Sequence, residues 1–255
     1  MSRKSPLQAK ASAILEERRR KWESKKVLRR LYSKWYSLMG SWIQPGVVLE
    51  LGGVSGNLKE SFPGAISSDV VFAPWLDAVL DAHRLPFGNE TVDSIVLFDV
   101  LHHVSAPAVF FSEAERILKS EGRIVMMEPY VSCASFLVYK FFHQEGLRWK
   151  TDPLGDKDPD PDPDRDPFQG NQAIPTLIFK QHRKTFVEQH PRLRILREEK
   201  TDFLMYPLSG GFHHRSLCPL PLEGFLERCE RFLQPLNSCL AFRVLLVLEK
   251  LPFST

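Results

Sequence analysis

Val47-Val48-Leu49-Glu50-Leu51-Gly52-Gly53-Val54-Ser55-Gly56 decides the fold of this chain. Its first five residues, apolar but for Glu50, show no alternation, the pattern of a parallel strand buried on both faces. The glycines that follow permit a sharp bend and a close approach of backbone to ligand, because no Cβ stands in the way. Asn57 to Phe62 reads as a short helix closed by Pro63-Gly64, and Ala65-Ile66-Ser67-Ser68 as a second strand ending on a lone acid, Asp69. Strand, glycine turn, helix, strand and terminal carboxylate describe a nucleoside site at the carboxyl edge of an open α/β sheet, with the acid accepting from the two ribose hydroxyls.

Nicotinamide dinucleotide and S-adenosylmethionine both suit such a site, and the next residues choose between them. Asp81-Ala82-His83-Arg84-Leu85-Pro86-Phe87 is followed by Val92-Asp93-Ser94-Ile95-Val96-Leu97-Phe98-Asp99-Val100-Leu101-His102-His103-Val104. A Glu-Leu-Gly turn, an acid after the second strand, Asp81 with Leu-Pro-Phe after the third and Leu-His-His-Val after the fourth stand in order with compatible spacings. In these pieces the chain resembles the class I S-adenosylmethionine-dependent methyltransferases, in their type 11 small-molecule branch, over roughly a third of its length, Val47 to Tyr130. A dehydrogenase would need Gly-x-Gly-x-x-Gly, which Gly52-Gly53-Val54-Ser55-Gly56 does not supply.

The resemblance implies an α/β fold with a Rossmann-like, seven-stranded, mostly parallel sheet and helices on both faces. It also implies S-adenosyl-L-methionine as cofactor. Its donor-binding positions fall on Glu50, Gly52, Gly53, Gly56, Asp69, Asp81, Ala82 and Phe98. In this scheme Asp81 accepts from the adenine amino group and the Ala82 backbone lies against the ring; the alternative for Asp81 is a helix N-cap. One position departs from the family's Gly-x-Gly-x-Gly turn: Val54 stands where the middle glycine belongs. A β-branched residue resists φ > 0 and holds its side chain near the place of the methionine portion, while Gly53 restores some freedom.

The chain's 255 residues can bury a full core, and one domain with decorations is expected rather than two equal ones. A net charge of +3 does not by itself imply nucleic acid. Cys133, Cys218, Cys229 and Cys239 lack Cys-x-x-Cys or zinc spacing, so no metal site is expected and they read as ordinary buried thiols of a reducing cytoplasm. No apolar run reaches the roughly 18 residues of a membrane span, and the first residues have no hydrophobic signal core.

Residues 1–44 form a basic, amphipathic helical segment ahead of a domain covering 45–255. Arg18-Arg19-Arg20-Lys21, Lys25-Lys26 and Arg29-Arg30 interleave with Trp22, Leu28, Leu31, Trp35, Leu38, Met39 and Trp42 at helical spacing. In one reading this helix packs its tryptophan stripe on the domain and covers the cofactor. In the other its basic face makes peripheral contact with anionic lipid. The first is favoured, because charge runs are usually solvated faces.

Asp77 to Leu80 reads as the third strand and Ser94 to Leu97 as the fourth, which delivers Phe98 and Asp99 to the ligand edge. Phe110 to Lys119 is an amphipathic helix, and Arg123 to Met127 a fifth strand leading to Glu128. Methyl transfer is an in-line displacement, so positioning supplies much of the acceleration. A hydroxyl acceptor also needs a base near neutral pH, and His102 or His103 is the expected one, with Glu128 as the alternative. The competing reading makes the His-His pair structural.

Val131 to Phe142 reads as an apolar helix. The Asp/Pro-rich insertion at about 151–170 reads as an extended, mobile loop rather than a calcium site, since repeated Asp-Pro steps remove amide donors. Further along, Leu193 to Leu196 running into Phe203 to Tyr206 reads as a sixth strand or a strand with a bend, and Ser209 to His214 is a glycine-and-histidine turn, lining the acceptor pocket or lying on the surface. Leu222 to Leu233 is a helix, and Cys239 to Glu249 a closing strand that the resemblance inserts antiparallel between the fifth and sixth. The expected function is methyl transfer to a small-molecule or sugar-bearing (glycan) acceptor, at oxygen. The alternative is a non-catalytic methyltransferase-like binding domain. No nucleic-acid partner is expected, because the Asn/Asp-Pro-Pro-aromatic signature of nucleobase N-methylation is replaced by Phe98-Asp99-Val100-Leu101.

Overall fold

Val48–Leu51 forms a strand (β1) buried at every residue, as an unalternating apolar run requires. In the computed structural model, which describes residues 6–54, 57–142, 146–155, 166–212, 214–218 and 222–252, it lies near the middle of one seven-stranded sheet. The other strands are β2 (Ile66–Asp69), β3 (Ala78–Val79), β4 (Val92–Phe98), β5 (Leu118–Pro129), β6 (Leu193–Thr201) and β7 (Arg243–Lys250), in the order β3-β2-β1-β4-β5-β7-β6. Strands β1 to β5 pair in parallel. Strand β7 runs antiparallel to both β5 and β6. Because Arg243 pairs with Pro129, the start of β7 lies at the same edge as the end of β5. The strand order reverses between β1 and β4, and the crevice outside their carboxyl ends is where ligands bind in such sheets.

Alternate residues of the central strands face two separate cores. Leu49, Leu51, Ile95, Leu97, Ile124, Met126, Leu246 and Leu248 pack with Phe110, Phe111, Ala114 and Ile117 of helix Pro107–Ile117. Val48, Val96, Phe98, Val125, Met127, Leu245 and Val247 pack on the opposite face with Leu28, Leu31, Trp35 and Met39. The second layer comes from the N-terminal segment. That segment is two helices, α1 (Pro6–Ser24) and α2 (Lys26–Gly40), with extended backbone at Lys25 (φ −97°, ψ 91°) between them. The tryptophan stripe is therefore core, as the packing reading expected. The guanidinium groups of Arg18, Arg19 and Arg29 lie over Phe168, Trp75 and Trp22, so part of the basic face is spent on aromatic rings of the same chain.

Several boundaries differ from the sequence reading. Helix Pro107–Ile117 gives way directly to β5 at Leu118, with Glu121 at φ 63° inside the long strand. Residues Met205–Ser209 form a helix rather than more strand, because the Glu230 carboxylate accepts from the amides of Phe203, Leu204 and Met205 and so caps a turn. The closing strand begins at Arg243, after a short helix Asn237–Leu240. The cysteines are free, but only Cys218 is buried; Cys133 and Cys239 are exposed, since each sits on the outer side of a surface helix. The middle half of the Asp/Pro-rich insertion, 156–165, lies outside the described residues. Among the described residues, no helix is long and apolar enough to cross a membrane.

Candidate functional site

Gly52, at the end of β1, has φ 69°, and a Cβ there would collide with Val100. A Cβ on Gly53 would collide with Ser67 and Glu50. Both positions need glycine for space, and Gly52 for conformation as well. Val54 follows at φ 40°, in the left-handed region that a β-branched residue adopts only when its surroundings impose it. Two contacts hold it there: its amide donates to Asp69 Oδ2 (3.2 Å), and its carbonyl accepts from Trp75 Nε1 (3.0 Å). Asp69 Oδ1 accepts from the amide of Val71 (2.9 Å). Asp69 thus braces the turn that Val54 would otherwise distort. Burial raises its pKa, and the Val71 and Val54 amides oppose that rise.

Glu50 is buried, accepts from the Ser67 hydroxyl, and burial pushes its pKa up to about 7. Glu50, Gly52, Gly53 and Val54 form one wall of a cavity of about 420 Å³, the size of a small-molecule site. Phe98, Asp99, His102 and His103 line it from the end of β4, and Tyr32, Tyr36 and Arg18 from the N-terminal helices. Val138 and Tyr139 line it from helix Cys133–Phe142, and Tyr206, Leu208 and Phe212 from the segment before β7. Burial holds the phenols of Tyr32, Tyr36 and Tyr139 above their ordinary pKa, so they stay neutral and cannot serve as bases.

His102 follows β4 in a single tight turn, Leu101–His103, whose amides are fixed from below by Glu128 at the end of β5. Glu128 Oε1 accepts from the amides of Val100 and Leu101 (both 2.8 Å), and Oε2 lies 2.8 Å from His102 Nδ1. Glu128 is fully buried. A carboxylate facing Nδ1 selects the tautomer protonated there and leaves the lone pair on Nε2. Asp99, His102 and Glu128 bring ligand-type atoms within 4.8 Å of one another. A cation is not needed to hold them: Asp99 Oδ1 is 2.6 Å from Arg243 Nη2, and Glu128 is already committed.

Arg243 is the feature that sequence reasoning missed. It is 1% exposed, and its guanidinium lies over Trp35, Phe98 and Tyr206 at 4.6, 4.9 and 5.1 Å. Burial works against its charge, but Asp99 more than offsets that and keeps its pKa above the ordinary value. A lone arginine in an apolar strand was the available signal, since a buried charge requires a partner.

The structure therefore brings Glu50, Gly52, Gly53, Phe98, His102 and His103 together around one cavity. Asp69 stands directly behind its Val54 wall, and Glu128 behind His102. Asp81 and Ala82 are not among the lining residues: Asp81 is largely exposed, and its Oδ1 accepts from the backbone and ring of His83. No helix follows for the alternative N-cap reading either: Asp81 opens a tight turn closed by the Arg84 amide donating to its carbonyl (3.1 Å). Gly56 lies outside the described residues. Gly210, Gly211, Phe212 and His214 line the cavity rather than open surface, while His213 lies outside the described residues, and Lys25 Nζ donates to the carbonyls of Gly211 (2.6 Å) and His214 (2.9 Å).

The residues present fit a sulfonium nucleoside. The glycine wall has no room for side chains, a carboxylate stands on either side of it, and Arg18 Nε, buried and without a hydrogen-bond partner among the described residues, is on the cavity lining. A family model described as "Methyltransferase domain" matches residues 65–126, from β2 to β5. It starts beyond the turn in which Val54 replaces glycine. A Streptomyces fradiae protein, "Uncharacterized 37.1 kDa protein in transposon TN4556", is 43% identical over 49 residues, which is 19% of this chain and 14% of that protein's length. Among solved structures, the geranyl diphosphate C-methyltransferase of Streptomyces coelicolor A3(2), in complex with Mg2+, geranyl-S-thiolodiphosphate and S-adenosyl-L-homocysteine, superposes with a TM-score of 0.53. It is 13% identical, with 98% of this chain and 100% of that one covered. A SAM-dependent methyltransferase from Archaeoglobus fulgidus gives a TM-score of 0.52 at 13% identity, covering 87% and 94%. At these identities the likeness is one of fold. With the methyltransferase-domain match spanning β2 to β5 and the β3-β2-β1-β4-β5-β7-β6 sheet around a glycine-walled cavity, the chain is similar to class I S-adenosylmethionine-dependent methyltransferases and shares their fold.

Proposed function

We propose that the protein transfers a methyl group to a hydroxyl of a small acceptor with an apolar body, with His102 as general base and Glu128 as the residue that orients it. The observation that carries this reading is the 2.8 Å pair between His102 Nδ1 and a fully buried Glu128, with His102 on the cavity that also holds the glycine turn. The bound donor supplies a methyl group already activated on a sulfonium. Gly52 and Gly53 would hold the donor backbone-close, Glu50 would take its hydroxyl groups with Asp69 bracing the turn from behind, and Arg18 would meet its carboxylate. His102 Nε2 takes the proton of the acceptor hydroxyl as that oxygen attacks, and Glu128 stabilises the imidazolium that forms. The tyrosine and phenylalanine walls exclude water and favour an apolar acceptor over a glycan.

Labelled-donor turnover against a panel of apolar hydroxyl compounds tests this. His102→Asn is expected to lower transfer by about 100-fold or more, while S-adenosylhomocysteine binds as before. Full transfer by that variant would remove His102 as base. Turnover only on amines or carbon acids would remove the oxygen assignment.

A further inference from the structure

The helix Glu223–Leu233 turns an apolar stripe to solvent. Phe225 (61% exposed) and Phe232 (84%) stand at i and i+7 of the helix, flanked by Leu222 (49%) at its N-cap and Leu236 (54%) in the tight turn Gln234–Leu236 that follows it. The helix is not short of partners on its inner side: Leu226 and Leu233 pack against the two cores. Two of its acids, Glu227 and Glu230, also turn away from the stripe. Glu230 is buried against the amides of 203–205, and Glu227 Oε1 lies 4.0 Å from Lys34 Nζ. What flanks the stripe is cationic: Arg228 and Arg231 are exposed, and among the described residues neither has an acidic partner within 4 Å. The segment leading into the helix carries Leu217, 75% exposed, which is also on the cavity lining.

We infer that this face is a peripheral docking surface for an anionic lipid bilayer. Two phenylalanines and two leucines on one side of an amphipathic helix, bordered by unpaired arginines, match an interface that offers hydrocarbon beneath a layer of negative headgroups. A second copy of the chain fits less well, because self-pairing of the stripe would set the arginine pairs against one another. The inference is independent of the methyl-transfer reading: vesicle binding requires neither donor nor turnover, so either can fail alone.

The test is co-sedimentation of the full chain with vesicles of phosphatidylcholine, with and without about a third phosphatidylserine, a composition that gives the surface its negative potential. The protein is expected to partition onto the anionic vesicles. Phe225→Asp with Phe232→Asp should reduce partitioning about tenfold, the loss of two buried aromatic anchors at the least. Arg228→Glu with Arg231→Glu should abolish the preference for phosphatidylserine; both pairs sit on the surface, and unchanged thermal unfolding checks their fold. Absence of binding by the parent chain would overturn the inference. So would equal binding by the phenylalanine variant, or a concentration-dependent dimer in sedimentation velocity that the same substitutions dissolve.

Discussion

Val54 concentrates the chemistry of the donor wall in one residue. Its φ of 40° carries a strain of about 1–2 kcal/mol for a residue with a Cβ. Asp69, itself held by the Val71 amide, and Trp75 keep it there. Val54→Gly is expected to leave stability within about 1 kcal/mol, relief of strain being offset by the freedom glycine gains in the unfolded chain, and to tighten donor binding several-fold by calorimetry. Unchanged affinity would place the valine side chain outside the donor's path. The departure at Val54 was legible in the sequence, but not its remedy, since hydrogen bonds from residues 15 and 21 positions away have no local signature. Arg243 illustrates the same limit. Its position in β7 is visible as a charge among aliphatics, whereas Asp99 and three aromatic rings come from three other elements. Arg243→Met should cost about 2–4 kcal/mol in denaturant titration, less than a fully buried pair because Asp99 can be hydrated. A neutral or stabilising result would show that the aromatic box tolerates an apolar filler.

At the scale of elements, strand and helix identity followed from patterns the chain states locally: unalternating apolar runs for β1 and β4, and a helical stripe for α2. The capped turn at Met205–Ser209 did not, because its cap, Glu230, arrives from a helix more than twenty residues later. Nor did the division of labour between α1 and α2. The longer of the two, α1, buries Ala11 and Leu15 on the small cluster with Val71 and Ala73, beside Val54, whereas α2 roofs one face of the sheet. Removing residues 1–24 is therefore expected to leave a folded protein with donor affinity reduced about tenfold, because Arg18 and the Val54 cover go with it. Removing α2 as well should abolish cooperative unfolding by exposing Trp35, Leu31 and Met39. Lys25 couples the helix junction to the 210–214 turn, and Lys25→Ala should raise the acceptor KM more than it changes kcat.

The whole molecule carries its buried acids as a dependence on pH. Glu50 has its pKa raised from 4.5 to about 7, and Asp202 from 3.8 to about 6, both by burial. The native state binds these protons more tightly than the unfolded one, so their contribution is complete below the unfolded values and is lost as pH rises through about 7. Melting temperature should fall between about pH 4.5 and 7, and Glu50→Gln should flatten the upper part of that fall; an unchanged slope would mean that Glu50 is hydrated. Asp77 and Glu113, held low by Lys59 and Arg116, act in the opposite sense at more acid pH. Sheet order, glycine wall and the acids around it join in one requirement, a cavity that grips a sulfonium nucleoside. Titration calorimetry of the full chain with S-adenosylmethionine and S-adenosylhomocysteine measures that directly. Saturable one-to-one binding of both is expected, with Asp69→Asn, which loosens the turn it braces, weakening it at least about tenfold, about 1.4 kcal/mol, in a protein that still unfolds cooperatively. Absence of binding by either ligand to a folded protein would contradict it.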